Sequence, residues 1–371
     1  MTQIPFFTVV IPTRNRPELF KDALQSVLSQ DFDDFEVIVS DNSTDDKTQI
    51  AIEPFRNSPK LSAFRTDGNL SMPKHWEFAT TKARGRYVLV LTDRSVLKPH
   101  ALNTIYAAIN SSTEDVPVCS WRWSLRDDGS ELEYADTPMY GGGIVTLSSL
   151  DILHKFVNRQ NVYPYELPRA MNACYRNDLA AEIRHKYGAL FMPLSPDYVC
   201  AFLLLAHTEK ILFFDTALYI SQGLDVSNGG KCYGSMSDAE SYLSTLGIIN
   251  YYAHVPIKMP LGASVLYQDF LAMQAMAGGE LSKVEMNWVE YFIRCHKEIL
   301  EKRRQSIMSR QELDAVQHAW DQALNGMAKD IRRKVKQELQ IQPLWLSRSK
   351  AAIKKMPFAT TLIKTVKSLK K

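Results

Sequence analysis

Short apolar runs alternate with helical patterns in the first third of the chain. Four runs rich in β-branched and aromatic side chains end abruptly at polar residues, and they span residues 6–11, 35–40, 61–65 and 87–91. Apolar positions recur at helical spacing in residues 17–30, 71–82 and 99–110. Buried strands joined by helical crossovers predict an α/β domain with a doubly wound, mostly parallel sheet that helices cover on both faces. From residue 237 onward the pattern is mostly helical, which predicts a helical C-terminal extension.

Polar clusters follow three of the four predicted strands. They are residues 13–16, Asp41-Asn42, and Thr92-Asp93-Arg94. In an open α/β sheet, ligands bind outside the carboxyl ends of the strands, so these clusters are expected to meet a common ligand. The chain has no GxGxxG fingerprint after the first strand and no GxxxxGK(S/T) segment. These absences disfavour an NAD-binding Rossmann domain and a P-loop enzyme.

Charge is nearly balanced over the whole chain but not along it. The 371 residues include 44 basic and 41 acidic side chains, a net charge of +3 that argues against a dedicated nucleic-acid binder. Residues 346–371 carry Lys and Arg without any Asp or Glu, interleaved with apolar positions at helical spacing. Such a segment predicts peripheral contact with an anionic membrane surface. A solvated tail helix or a partner-binding segment is an equal alternative.

The cysteines and the apolar stretches indicate the cellular compartment of the protein. The five cysteines are an odd number without CxxC spacing, which disfavours a disulfide framework or a zinc site and favours a reducing cytosol. The N-terminal residues lack the basic and apolar regions of a signal peptide. No apolar stretch reaches the ~18 residues that a membrane span needs. We therefore expect a cytoplasmic protein, peripheral at the inner face of the membrane if the tail binds lipid.

Four segments together resemble the family 2 glycosyltransferases of the GT-A fold. In chain order they are VVIPTRNRPELFKDALQSVLSQ, FEVIVSDNSTDD, ARGRYVLVLTDRSVLKPHAL and LSPDYVCAFLLLAHTEKILFFDTALYIS, and the resemblance covers residues 6–221. It implies a nucleotide-sugar donor, an inverting transfer, and a glycan or lipid-linked acceptor. It also implies a nucleotide-sugar-binding half in residues 1–110, an acceptor-binding half in 111–225, and the helical region in 226–371.

The resemblance implies donor contacts at the carboxyl edge of the sheet. They are Pro12, Thr13 and Arg16 around the base and ribose, Asp41 as an acceptor from the base or a ribose hydroxyl, and Asn69 and Lys74 as further contacts. A carboxylate at a strand end is a suitable acceptor for a nucleoside N–H or O–H. The alternative for Asp41 is a turn closed with Asn42 and Ser43, and the alternative for Lys74 is a solvated helix lysine.

The segment after the fourth strand departs from the family's aspartate-x-aspartate metal motif. In the family register, Thr92 and Arg94 take the positions of the two aspartates, and Asp93 takes the variable position between them. A divalent ion, Mn²⁺ or Mg²⁺, is therefore doubtful, although one carboxylate with donor phosphates can hold such an ion. Three hypotheses remain: Asp93 binds the metal in a variant geometry, Arg94 replaces the metal as counter-charge to the diphosphate, or the domain only binds ligand.

Asp197 is the general base that the resemblance implies. Pro196 and Asp197 in the first turn of a helix are also ordinary helix-start residues, so the position alone decides nothing. Trp121 and Trp123 lie in a strand-like stretch, and one is expected to face the core and the other the cleft. The Gly- and Ser-rich residues 223–236 are either a linker or a lid over the donor, with Lys231 reaching phosphate.

Two other functions compete with transfer. One is a non-catalytic nucleotide-sugar or glycan-binding subunit of a glycan-assembly complex. The other is a nucleotidyltransferase on a similar sheet, which is disfavoured because no glycine-rich basic loop follows the first strand. Transfer lost in an Asp197→Asn variant distinguishes the enzyme from the binding subunit.

Overall fold

The computed structural model describes residues 4–127, 130–132, 138–158, 165–222, 235–248 and 250–348. Its first part is a run of parallel strands with helical crossovers. The strands are β1 (Phe7–Thr13), β2 (Phe35–Asp41), β3 (Leu61–Arg65) and β4 (Tyr87–Val90), and the helices are α1 (Pro17–Leu28), α2 (Lys47–Ile52) and α3 (Met72–Thr80). β1 pairs in parallel with both β2 and β4, and β2 pairs in parallel with β3. The predicted alternation of strands and helices is confirmed.

Two differences from the sequence prediction lie at strand ends that border the cleft. β1 continues through Pro12 to Thr13, which is opposite Asp41 in the register with β2. The segment before the predicted helix 99–110 forms a short strand, β5 (Ser95–Leu97), and the helix α4 begins later, at Ala101, and ends at Ser111. β5 forms because its backbone pairs antiparallel with a strand more than a hundred residues away, which no local pattern indicates.

The second part of the chain extends the same sheet with mixed strands. It contains β6 (Val118–Asp127), β7 (Ser130–Leu132), β8 (Ile144–Ser148), α5 (Ser149–Asn158), β9 (Ala173–Arg176), α6 (Asn177–Tyr187), α7 (Pro196–Ala206) and β10 (Lys210–Gln222). The strand order is β3-β2-β1-β4-β9-β6-β10-β5, with β7 beside β6 and β8 beside β10. β9 is antiparallel to β4 and to β6, and β6 is parallel to β10, so six of these strands share one direction. The mostly parallel α/β sheet is thereby confirmed.

The helical extension packs on one face of this sheet. It comprises α8 (Met236–Ser244), α9 (Gly262–Ala277), α10 (Trp288–Arg304), α11 (Arg310–Asn325) and α12 (Lys329–Arg348). α9 lies against α7, and one hydrophobic core runs from Val10 and Val88 of the sheet through α7 to Tyr291 and Trp320 of the extension. Within the described residues, no helix combines the length and hydropathy needed to span a bilayer.

Candidate active site

The predicted donor contacts that follow β1 and β4 lie close together at the carboxyl ends of these two strands. Thr13 closes β1, and Asp93 follows β4. Thr13 Oγ1 donates to Asp93 Oδ2 at 3.1 Å, and Arg16 Nη1 lies 3.3 Å from Asp93 Oδ1. The backbone N–H of Arg14 also donates to this carboxylate. Asp93 therefore ties the end of β4 to the end of β1.

Asp93 is buried, with 5% of its surface exposed. Burial raises the pKa of this carboxyl above its ordinary value, and Arg16 and Thr13 act in the opposite direction. Both oxygens already accept from the β1 end. Among the described residues, no cluster of three His, Cys, Asp or Glu side chains has a geometry suited to a metal ion. The oxygens of Asp93 are already engaged by Arg16 and Thr13, and a metal at this carboxylate stays a prediction.

The residues on either side of Asp93 contact different partners. Thr92 Oγ1 and Ser95 Oγ are 2.7 Å apart, which closes the turn into β5. Arg94 Nη1 donates to Ser221 Oγ at 2.8 Å, near the end of β10. Burial lowers the pKa of the Arg94 guanidinium, while Tyr219 and Asp93 raise it. The Arg94 side chain therefore extends from the end of β4 to the end of β10.

Asp41 forms the turn that was the alternative to a nucleotide contact. Its side chain is fully buried, the Ser43 N–H donates to Oδ1 at 2.9 Å, and Gln49 Nε2 donates to Oδ2 at 2.7 Å. This arrangement is an Asx turn closed by Ser43. The nucleotide role of Asp41 stays a prediction, because both oxygens serve the β2–α2 connection in this structure.

The other predicted donor contacts differ in exposure. Pro12 is buried within β1, whereas Asn69 and Lys74 are exposed on the connection after β3 and in the first turn of α3. An exposed lysine at a helix start is able to reach an anion outside the sheet edge or to remain solvated. The two alternatives for Lys74 therefore both remain.

Asp197 lies in the first turn of α7, beside an arginine that the sequence did not identify. The side chain of Asp197 is 12% exposed, and its Oδ2 is 3.8 Å from Arg169 Nη1. Burial raises the pKa of the Asp197 carboxyl, whereas Arg169 lowers it, with smaller contributions from the helix-start N–H groups and from Arg94. The charges near Asp197 therefore include the arginine that adjoins Asp93.

Arg169 is held by aromatic rings from two other segments. Its guanidinium lies 4.6 Å from the centre of the Trp123 ring and 5.2 Å from that of Tyr198. The Arg169 side chain is 12% exposed, and its Nε has no hydrogen-bond partner among the described residues. Contact with two aromatic faces holds the guanidinium in place. No local sequence pattern marks Arg169, because its neighbours come from β6 and α7.

The two tryptophans differ in burial. Trp121 is 1% exposed and belongs to the sheet core, while Trp123 is half-buried and packs against Tyr165 and Arg169. Two further predictions lie outside the described residues: the lid with Lys231, and the basic tail beyond Arg348.

Comparison with known proteins finds a family match in the first part of the chain. The family model described as Glycosyl transferase family 2 matches residues 8–143. The GalNAc(5)-diNAcBac-PP-undecaprenol beta-1,3-glucosyltransferase of Campylobacter jejuni is 29% identical over 109 residues, 29% of this chain and 35% of that protein. The poly(ribitol-phosphate) beta-N-acetylglucosaminyltransferase TarS of Staphylococcus aureus is 30% identical over 113 residues, 30% of this chain and 20% of that protein.

The structural comparison extends over most of the chain. The crystal structure of S. aureus TarS 1–349 in complex with UDP-GlcNAc superposes with a TM-score of 0.52 and 18% identity, covering 90% of this chain and 91% of that one. At this identity the similarity establishes the fold, which is of the GT-A type. The aligned sequence spans about a third or less of the curated relatives named above.

Proposed function

We propose that this chain, whose residues 8–143 match the model of glycosyl transferase family 2, moves a sugar with inversion from a nucleotide-sugar donor to an acceptor hydroxyl. The single observation that carries the proposal is the buried carboxylate of Asp197 at the start of α7. Asp197 Oδ2 lies 3.8 Å from Arg169 Nη1, and the charge of Arg94 also acts to lower the pKa of Asp197. A carboxylate in a buried cleft, with its pKa raised by burial, is a suitable general base.

In the proposed step, Asp197 accepts the proton of the acceptor hydroxyl. The acceptor oxygen forms its bond to the anomeric carbon on the face opposite the diphosphate. The bond from that carbon to the diphosphate oxygen breaks, and the nucleoside diphosphate leaves with the electron pair. Asp197 then releases its proton to water. Arg169 supports this cycle because a cation 3.8 Å away favours the ionised base before each turnover.

The leaving diphosphate needs a counter-charge, and we propose that Arg94 supplies it with Arg16. Arg94 is anchored through Ser221, and Arg16 lies against Asp93. A guanidinium presents a planar fork of donors that matches phosphate oxygens and acts without a metal. In this proposal, Asp93 holds Arg16 and the end of β1 in place through its contacts with Arg16 and Thr13. This assignment selects the second of the three hypotheses drawn from the sequence.

Donor and acceptor classes follow from the relatives. TarS was crystallised with UDP-GlcNAc, and the Campylobacter relative is named for an undecaprenol-linked glycan. We propose a UDP-sugar as the first donor to test and a glycan or lipid-linked acceptor in polysaccharide or glycoconjugate assembly. Peripheral membrane contact through the tail remains part of this proposal.

The test begins with thermal shift measurements on UDP, GDP, dTDP and UDP-GlcNAc, each with MnCl₂ and with EDTA. Release of nucleoside diphosphate is then measured for the nucleotide sugar with the largest shift. We expect turnover that survives EDTA, is abolished in Asp197→Asn with donor binding retained, and is strongly reduced in Arg94→Ala. Loss of all turnover with EDTA would overturn the metal-free assignment. Nucleotide binding without turnover in the wild type would instead support a non-catalytic binding subunit.

A further inference from the structure

The segment that leads into α7 is held by two carboxylates from distant parts of the chain. At its beginning, Glu77 Oε2 accepts the N–H groups of Leu190 and Phe191 at 2.9 and 3.0 Å. At its end, Asp269 accepts the N–H of Leu194 through Oδ1 at 2.8 Å and that of Ser195 through Oδ2 at 2.6 Å. Four backbone donors of residues 190–195 therefore bind two side chains. We call this arrangement the entry clamp of α7.

The Glu77 side of the entry clamp belongs to the donor-binding half. Glu77 lies on α3, the helix that begins beside Lys74. Arg184 of α6 contacts its other carboxylate oxygen and also donates to Thr80 Oγ1 at 2.8 Å. A carboxylate that accepts from an arginine and two amides has little freedom to move.

The Asp269 side belongs to the helical extension. Asp269 lies on α9 and is 2% exposed. Its two oxygens face the two amides in a fork, an arrangement that a neutral amide side chain cannot reproduce because one of its atoms is itself a donor. Burying a carboxyl group is costly unless it is hydrogen-bonded, and the two amides offset part of that cost for Asp269.

The entry clamp ends two residues before Asp197. Ser195 is the residue that caps α7, and its carbonyl accepts the Val199 N–H at 2.9 Å in the first turn. Fixing the Ser195 amide therefore fixes the beginning of the helix on which Asp197 lies. A shift of about 1 Å in a reacting group is enough to cost on the order of 100-fold in rate.

We propose that Glu77 and Asp269 are positioning residues for Asp197, so that α3 and the helical extension jointly set the place of the base. The inference rests on the proposed function, in which Asp197 takes the acceptor proton. Neither carboxylate has to touch donor or acceptor. The helical extension thus has a role in the chemistry of the sheet domain.

The test uses Asp269→Asn and Glu77→Gln, with Glu298→Gln as the matched control. Glu298 is also a buried carboxylate of the extension, and it accepts the amides of Gly262 and Ala263 at 2.9 and 3.3 Å. It therefore loses similar bonds without touching residues 190–195. For the folded fraction of each protein, we expect kcat to fall about 10- to 100-fold in the two clamp variants with the donor KM within about twofold of wild type. Glu298→Gln should keep the wild-type kcat.

Backbone hydrogen exchange supplies a readout that does not depend on activity. In Asp269→Asn the amides of Leu194 and Ser195 should exchange faster than in the wild type and in Glu298→Gln. A wild-type kcat together with unchanged exchange in Asp269→Asn would overturn the inference while leaving the proposed function intact. An inactive wild type would refute the proposed function, and exchange alone would then decide whether the clamp holds α7.

Discussion

Replacing Arg169 by methionine should move the acid limb of the activity profile toward higher pH. Methionine keeps an unbranched stem against Trp123 and Tyr198 but removes the charge that lies 3.8 Å from Asp197. Burial already raises the pKa of Asp197, and Arg169 is the largest influence that opposes it. Without Arg169, the carboxyl has to be deprotonated by a higher pH before it can accept the acceptor proton.

The size of the shift follows from the separation of the two charges. Unit charges about 4 Å apart attract by about 4 kcal/mol at an effective dielectric constant of about 20. Since 1.36 kcal/mol corresponds to roughly one pKa unit, the upper bound is about 3 units. Arg94 is present in both proteins, so the expected shift is upward and within this bound. The direction is fixed, because removing a cation always raises the pKa of a neighbouring carboxyl.

The assay is the pH dependence of kcat/KM for release of the nucleoside diphosphate. Arg169→Met should approach the wild-type rate at high pH and fall below it near neutrality, whereas Arg169→Lys, which keeps the charge, should shift the limb much less. Arg176→Met is the control, because Arg176 pairs with Asp115 and Asp178 on the surface. An unmoved acid limb in Arg169→Met, with a loss equal at every pH, would refute the role assigned to this ion pair.

Three further outcomes follow from other features. Burial raises the pKa of Asp269 to about 7, so the folded protein binds a proton at this carboxyl more tightly than the unfolded chain does. The resulting contribution to folding stability is complete below about pH 4 and is lost as the pH rises through 7. Urea unfolding at pH 5 and 8 should therefore show wild type losing about 3 kcal/mol relative to Asp269→Asn, and parallel curves would contradict the pKa direction. Gly85→Ala should destabilise by about 3 kcal/mol or more in a thermal melt, because its Cβ would lie 2.5 Å from the Thr8 backbone nitrogen; a near-wild-type Tm would contradict that contact. Deleting residues 349–371 should weaken binding to anionic liposomes but not to neutral ones, and unchanged binding would remove the membrane role of the tail.

The sequence predicts best where a local pattern carries the structure. The strands predicted at residues 35–40 and 61–65 match the observed β2 and β3 within one residue. β2 is buried along its whole length, as an apolar run between polar turns predicts, whereas β3 is the edge strand of the sheet and has no buried residue. β5 and β9 are different. Each is short and pairs antiparallel with strands distant in the chain, so its strand state depends on contacts that form only in the folded protein.

The candidate site divides in the same way. Asp93 and Asp197 are recognisable because they follow a strand and begin a helix in a known family order. Arg169 is not, since Trp123, Tyr198 and Asp197 reach it from two other elements. The entry clamp could not be predicted from the sequence either, because Asp269 accepts the Ser195 N–H across a separation of 74 residues in the chain. Such contacts are set by the packing of α9 on α7, and the sequence pattern predicts the helices but not their contact.

The balance of charge in the cleft supports the proposed role of the arginine that follows Asp93. Arg16, Arg94 and Arg169 interact with the two carboxylates Asp93 and Asp197. A divalent cation added beside Asp93 would increase the positive surplus in a buried place. Each like-charge pair near 4 Å costs about 4 kcal/mol at an effective dielectric constant of about 20. A diphosphate instead brings the negative charge that this arrangement lacks. Under the proposed function, Asp93 therefore fixes Arg16, and the anionic donor supplies the missing negative charge.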